Sequence, residues 1–311
     1  MIDIALPILA ALFIWWFSTG AVLYLVGLPR PTRRWVLSGV TVALFAALWG
    51  LWASRAEATE AGAYMAFACA ITVWAWQEVC FLMGHATGPR REACPAGVVG
   101  WKRVSAAVEA ILYHELILVV LGAAVWIAVA DGINQTGLWT YLVLWTMRLS
   151  AKLNLFLGVP FLHDDWLPKE IAHLRSYFRI RPMNFLFPVS VSASTIAAVW
   201  LFQLAYAPGV AAADAAGYGL VATLVGLAVL EHWFMVLPLP VAAMWAWAFR
   251  SRRTPHAAPP ASDASPALRI VASNQPQTVS HELAANARSQ HGPASVAAPV
   301  LLFPKPTVNG R

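Results

Sequence analysis

Residues 106–130, AAVEAILYHELILVVLGAAVWIAVA, decide how this chain folds. The run is 25 residues long and almost wholly apolar. As a helix it is enough to cross about 30 Å of hydrocarbon. A strand reading fails, because lipid offers no partner to an open sheet edge. Lys102 and Arg103 precede the run, Asp131 follows it, and Glu109, His114 and Glu115 lie inside it. Apolar length, unequal flanks and interior charge recur along the rest of the chain.

Comparable segments occupy residues 4–27, 35–54, 63–84, 137–158, 185–207 and 217–249, which makes seven expected spans. Fourteen Lys and Arg residues fall on one set of flanks: Arg30, Arg33, Arg34, Arg90, Arg91, Lys102, Arg103, Lys169, Arg175, Arg179, Arg181, Arg250, Arg252 and Arg253. The alternate flanks carry Arg55 alone, beside Glu57, Glu60, Asp131 and Asp214. Basic flanks stay cytoplasmic. The expected fold is therefore an all-α, seven-helix membrane bundle, N-terminus outside (periplasmic in a bacterium) and C-terminus cytoplasmic. With 59% hydrophobic and 12% charged residues, the composition excludes an ordinary soluble domain. Several of the 16 tryptophans (Trp35, Trp101, Trp166, Trp247) fall where interfacial rings are expected.

Residues 250–311 hold seven basic and two acidic residues, so most of the net charge of +6 belongs to the tail and does not form a nucleic-acid footprint. This segment is rich in Pro, Ala and Ser, lacks sustained apolar periodicity and reads as a disordered cytoplasmic tail after a membrane domain of residues 1–249. Cys69, Cys80 and Cys94 show no CxxC spacing, and no disulfide is expected. In the long connection 159–184, Ile171, Leu174 and Phe178 recur at helical spacing among Lys169, Glu170, His173 and Arg175. This predicts an amphipathic helix lying in the cytoplasmic interface, its basic residues Lys169, Arg175, Arg179 and Arg181 facing a partner. Pro238 and Pro240 predict a kink or stop in the last span.

The informative chemistry is charge placed where charge is costly. Glu78, Glu109, His114, Glu115, Arg148, Lys152, Glu231 and His232, with Gln77 and Asn154, lie inside the expected spans. Counting about 1.5 Å per residue from the cytoplasmic ends puts Glu78, His114, Lys152 and Glu231 roughly 9–20 Å deep. Each would cost about 2.5–3.5 kcal/mol or more alone in lipid, so they are expected to face one another. The preferred reading is a compensated network, in which Arg148 and Lys152, four residues apart on one helix face, each pair with a glutamate. A metal site built from Glu78, Glu109, His114, Glu115, Glu231 and His232 stays open as an alternative. So does haem or bacteriochlorin ligation by His114 or His232. Against metal stands the spacing: His114-Glu115 and Glu231-His232 are adjacent pairs whose members diverge by about 100° around a helix. The sole Glu-x-x-His, Glu170 to His173, reads as a solvated face. No Walker A, dinucleotide glycine fingerprint or desaturase histidine box occurs, and no catalytic residue is legible.

Four runs carry a resemblance. They are Phe81-Leu82-Met83-Gly84 with Thr87-Gly88-Pro89-Arg90-Arg91, the stretch from Met147 through Arg148, Lys152 and Asn154 to Pro160, Met183-Asn184-Phe185-Leu186-Phe187-Pro188, and Leu230-Glu231-His232-Trp233 on to Pro240. Across roughly residues 1–250 the chain resembles the photosynthetic complex assembly protein 2, or PuhE, family of anoxygenic phototrophic bacteria. That resemblance implies an integral membrane factor assembling the photosynthetic reaction centre and its light-harvesting 1 antenna. It implies those subunits and membrane lipid as partners and transfers no catalytic residue. The competing class is a membrane oxidoreductase, or a pigment-binding protein, of the bacteriochlorophyll or carotenoid pathway.

Overall fold

A computed structural model of the chain describes residues 2–162 and 167–249. The tail from 250 onward, with Arg250, Arg252, Arg253 and the expected disorder there, lies outside the described residues, as does Trp166. The described chain is helical: α1 (Ile2–Val26), α2 (Arg33–Ser54), α3 (Glu60–Leu82), α4 (Gly100–Val129), α5 (Thr136–Leu157), α6 (Leu186–Ala205) and α7 (Ala212–Phe234). Among the described residues the only β pairing is an isolated parallel bridge between Val159 and Ile180.

Six of the helices, all but α5, are long and apolar enough to cross a membrane. With 22 residues α5 has the length, but Arg148, Lys152 and Asn154 interrupt its apolar face. Helices α3 and α7 form the interior: 61% of each apolar window is buried, against 22–28% in the other four. Their sequences explain this. Ala63, Ala66 and Ala70 on α3, and Ala216, Gly217, Gly219 and Ala222 on α7, are all buried. Small residues let helix backbones approach closely, which is what packing in lipid rewards. Around them α1, α2 and α5 pack on α3, and α1, α5 and α6 pack on α7.

Two asparagines join the ends of α5 to its neighbours. Asn134 Nδ2 donates to Ser54 O at 3.2 Å, and its Oδ1 accepts the Thr136 amide at 3.2 Å. One side chain thus caps the end of α2 and the start of α5. Asn184 repeats the device at the other end. Its Nδ2 donates to Gly158 O at 2.8 Å and Asn154 O at 3.3 Å, while Oδ1 accepts the Leu186 and Phe187 amides at 2.9 and 3.0 Å. Helix ends leave such groups unsatisfied, and here both ends find their partners on one residue. Asn184→Ala is expected to lower stability by about 1–3 kcal/mol. Asn184→Asp keeps the acceptor half and loses the donor half, so it falls between the two in thermal unfolding of the detergent-solubilised protein.

The structure corrects the sequence reading at two places. The last span does not run as a helix to Phe249: α7 stops at Phe234, and residues 235–249 turn back onto α1. Pro238 and Pro240 break the helical pattern ahead of them, and a residue before proline avoids the helical region. Trp245 Nε1 then donates to Trp16 O at 3.0 Å, and Trp16 Nε1 to Met244 O at 3.0 Å. Trp247 stacks on Phe17. Gly20 makes room for this ring, since a Cβ there would strike it. The amphipathic segment is the second correction. Lys169–Tyr177 is a 3-10 helix, and its buried stripe is Ile171, Leu174 and Tyr177, not Phe178. A three-residue period replaces the α-helical one. The stripe seals one end of the bundle against Val26, Val36, Leu82 and Ala106.

Candidate functional site: an intramembrane polar layer

The charged face of α5 meets a different helix at each turn. Arg148 donates to Glu78 Oε2 on α3 at 2.9 Å, and Gln77 Nε2 reaches the other carboxylate oxygen at 3.2 Å. One turn further, Lys152 Nζ bonds Glu115 Oε1 on α4 at 2.7 Å. Both cations therefore have a carboxylate, and α5 is tied to two neighbours by charge.

The adjacent pairs diverge as helical geometry requires. On α4, Glu115 turns to Lys152, while His114 is fully buried against the Phe81 ring, with centroids 4.2 Å apart. On α7, Glu231 turns outward and accepts the Trp15 indole N–H from α1 at 2.9 Å. His232 turns inward and is 1% exposed.

His232 ends a directed chain of hydrogen bonds. Its Nδ1 lies 2.8 Å from Ala228 O, which only accepts, so Nδ1 carries the proton. Nε2 is then an acceptor, and Ser150 Oγ donates to it at 2.9 Å. Ser150 has no second hydroxyl proton, so Ser190 Oγ of α6 donates to it, also at 2.9 Å. Asn154 Nδ2 in turn reaches Ser190 Oγ at 3.3 Å and Ser150 O at 2.9 Å. The chain links α5, α6 and α7 without a net charge. A serine bonded to an imidazole has the polarity of a nucleophile and its base. Here His232 is buried and Ser150 half-buried, and the two clefts at the start of α4 include neither residue.

Other candidates fall outside this layer. Glu109 is paired with Arg90 at 3.1 Å and with Ser105, and its side chain is 44% exposed. The reason is that α4 begins at Gly100, and the loop carrying Arg90 lies along its first turns. That loop is stapled on: the His114 amide donates to Thr87 O at 3.0 Å, and Gly88 lies backbone to backbone on Glu109 and Ala110. Glu170 is not solvated. It bonds Arg33 Nη2 at 2.7 Å and fastens the 3-10 segment to the start of α2. Burial raises its carboxyl, but the Arg33 hydrogen bond, a backbone amide and the Arg33 and Arg30 charges outweigh it and hold the group below its ordinary value. Burial, then the charge of Arg91, lowers His173. Lys169, Arg175 and Arg181 are exposed and Arg179 half-buried.

Among the described residues, no three His, Cys, Asp or Glu side chains converge to hold a metal ion. The carboxylates of Glu78, Glu109 and Glu115 are committed to cations, and Glu231 faces away from His232. Both His232 nitrogens are engaged, whereas both His114 nitrogens lack a hydrogen-bond partner among the described residues. Sequence reasoning did not foresee Ser190, Trp15 or the role of Ser150. A hydroxyl at helical spacing gives no signal of its own. The four-residue step from Ser150 to Asn154, on the side of α5 opposite the cations, was the sign available.

Residues 1–256 match the model of a family described as "Protein of unknown function (DUF3623)". The chain belongs to this family. A family relative from Rhodobacter capsulatus, described as "Uncharacterized 30.4 kDa protein in puhA 5'region", is 40% identical over 264 residues, covering 79% of this chain and 91% of that one. No solved structure matches the chain. The match takes in α1 through α7 and therefore the whole polar layer.

Proposed function

We propose that this DUF3623 protein is a membrane factor that assembles the photosynthetic reaction centre with its light-harvesting 1 antenna, as a PuhE-type protein. The observation that carries the reading is the relative's description as a protein of the puhA 5' region, a photosynthesis gene neighbourhood. Six membrane-competent helices agree with a bilayer substrate, and the bacterial inner, intracytoplasmic membrane fits that gene context. We take α5 as a seventh span, its polar face covered by α3, α4, α6 and α7, with the N-terminus periplasmic and the basic flanks cytoplasmic. The polar layer then serves the fold, since Arg148 and Lys152 are paired with Glu78 and Glu115 and the hydroxyls of Ser150 and Ser190 with His232 and each other. Recruitment falls to the cytoplasmic face carrying Lys169, Arg175, Arg179 and Arg181, where tails of newly inserted subunits emerge.

Phototrophically grown cells test this reading. Charge reversal at Arg175, Arg179 and Arg181 is expected to lower assembled core complex without changing pigment identity. Reporters after Phe249 (cytoplasmic) and within residues 131–135 (periplasmic) establish that the variant inserts in the proposed orientation. Deleting residues 255–311 is expected to leave complex levels nearly unchanged. A chemically distinct bacteriochlorophyll or carotenoid precursor, accumulating on gene deletion and again in His114→Ala or His232→Ala, would overturn the scaffold in favour of a pigment enzyme.

A further inference from the structure

The last turn of α5 is capped by a cation from another helix. Arg103, near the start of α4, donates through Nη1 to Phe156 O at 3.3 Å and through Nη2 to Tyr177 O, with its guanidinium 4.1 Å from the centroid of the Phe156 ring. It is only 5% exposed. A buried guanidinium is expected to carry a counterion, because burying charge without one is costly. Among the described residues, no carboxylate forms an ion pair with Arg103.

More positive charge gathers instead. The Arg179 amide bonds Leu155 O at 3.1 Å and the Arg181 amide bonds Val159 O at 3.2 Å, which fixes both residues beside the end of α5. Arg181 lies across Gly158, within 2.8 Å of where a Cβ would stand. Both side chains repel Arg103 electrostatically. Neither has an ion-pair partner among the described residues. Arg103 and Arg179 line one cleft of about 300 Å³, together with Trp101 and Phe156. Apolar side chains there are open: Trp101, in the lining, is 85% exposed, and Ile180, between Arg179 and Arg181, is 75% exposed. Three guanidiniums with no carboxylate partner among the described residues, beside exposed Trp and Ile side chains, have the composition of a membrane–water boundary, with phosphate at the level of the cations and acyl chain at the level of the apolar side chains.

We propose that the cleft of Arg103 and Arg179, with Arg181 at its edge, binds a phosphate group, and that an anionic phospholipid headgroup supplies it. Arginine's planar fork suits two phosphate oxygens at once, so two or three such groups give selectivity over a zwitterionic headgroup. The site stands independently of the assembly role and would exist on the isolated protein.

The test uses the full-length protein, purified in detergent, exchanged into vesicles of phosphatidylcholine with one-fifth phosphatidylglycerol, and read by native mass spectrometry for retained lipid. Parent protein is expected to retain phosphatidylglycerol over phosphatidylcholine. Arg179→Gln with Arg181→Gln is expected to lower that retention on the order of tenfold. Arg179→Lys loses less, since it keeps the charge and not the fork, and Arg34→Gln, on an exposed residue remote in sequence, changes nothing. Inorganic phosphate is the second arm. Phosphate that binds with no phosphatidylglycerol preference would give the site to the free ion. Retention in the double variant equal to that of the parent, with thermal unfolding unchanged, would overturn the site. Retention lost equally in Arg34→Gln would also overturn it, by reducing the effect to general surface charge. Lipid retention is read on purified protein and core-complex assembly in cells, so the two proposals fail separately.

Discussion

Arg148→Ala is expected to destabilise the protein more than Arg148→Ala combined with Glu78→Ala. Arg148 and Glu78 meet at 2.9 Å between α5 and α3, and Glu78 lies in a helix whose apolar window is mostly buried. Removing the arginine strands a carboxylate at membrane depth with Gln77 as its remaining donor. The cost expected is about 2.5–3.5 kcal/mol, the scale for a lone ionised group in lipid. Removing both partners relieves the stranded charge and restores part of that loss, because an uncompensated partner is the expensive state. Unfolding in mixed micelles, scored as a double-mutant cycle, measures the difference. Simple additivity of the two single losses would show that the ion pair does not hold the helices together. Lys152 with Glu115 provides the parallel cycle, its contact being 2.7 Å.

Gly88→Ala is the second large effect. A Cβ on Gly88 would drive into the Glu109 carbonyl and the backbone of Ala110, the latter at 2.6–2.8 Å. Neither obstacle is a flexible side-chain tip, and Ala110 is itself fully buried. The loop would have to lift from α4, taking with it the Thr87 carbonyl that receives the His114 amide and the Arg90 that pairs with Glu109. Overpacking of this kind costs about 1–3 kcal/mol before those bonds are counted. Reduced yield of folded protein and faster proteolysis between α3 and α4 are the expected readouts. Gly39→Ala, with open space around its Cβ, is the silent control. Equal behaviour of the two variants would show that the loop is not pressed on α4.

The sequence displayed the helical, membrane-embedded character because apolar length leaves lipid few alternatives. It displayed less of what depends on rotation about a helix axis. The step from Arg148 to Lys152 marked one face of α5, yet nothing in the sequence said that Arg148 meets Glu78 while Lys152 takes Glu115. Glu109 lies in the same apolar run as His114 and Glu115, and nothing local says that the loop carrying Arg90 folds along α4 to meet it. Pro238 and Pro240 signalled an interruption, but where the chain went next depended on Gly20 and on the Trp15 and Trp16 surface of α1, more than 200 positions away. Likewise, Ile171, Leu174 and a third apolar residue fit either helical period, and only packing on Val36 and Leu82 selects Tyr177. Local pattern encoded element type; long-range fit chose the phase.

The two asparagine clamps on α5 bear on how the protein is made. An insertion machine that sorts segments by partitioning has little reason to release α5 into lipid, since it alone of the seven helices lacks the necessary apolarity. What can hold it there is already present when it emerges: Ser54 O for Asn134, Glu78 for Arg148 and Glu115 for Lys152, all on helices synthesised earlier. Asn184 closes the other end only when α6 follows. Helix five would then enter as a dependant of its predecessors, and a ribosome stalled before residue 184 would carry it with one end still unfastened.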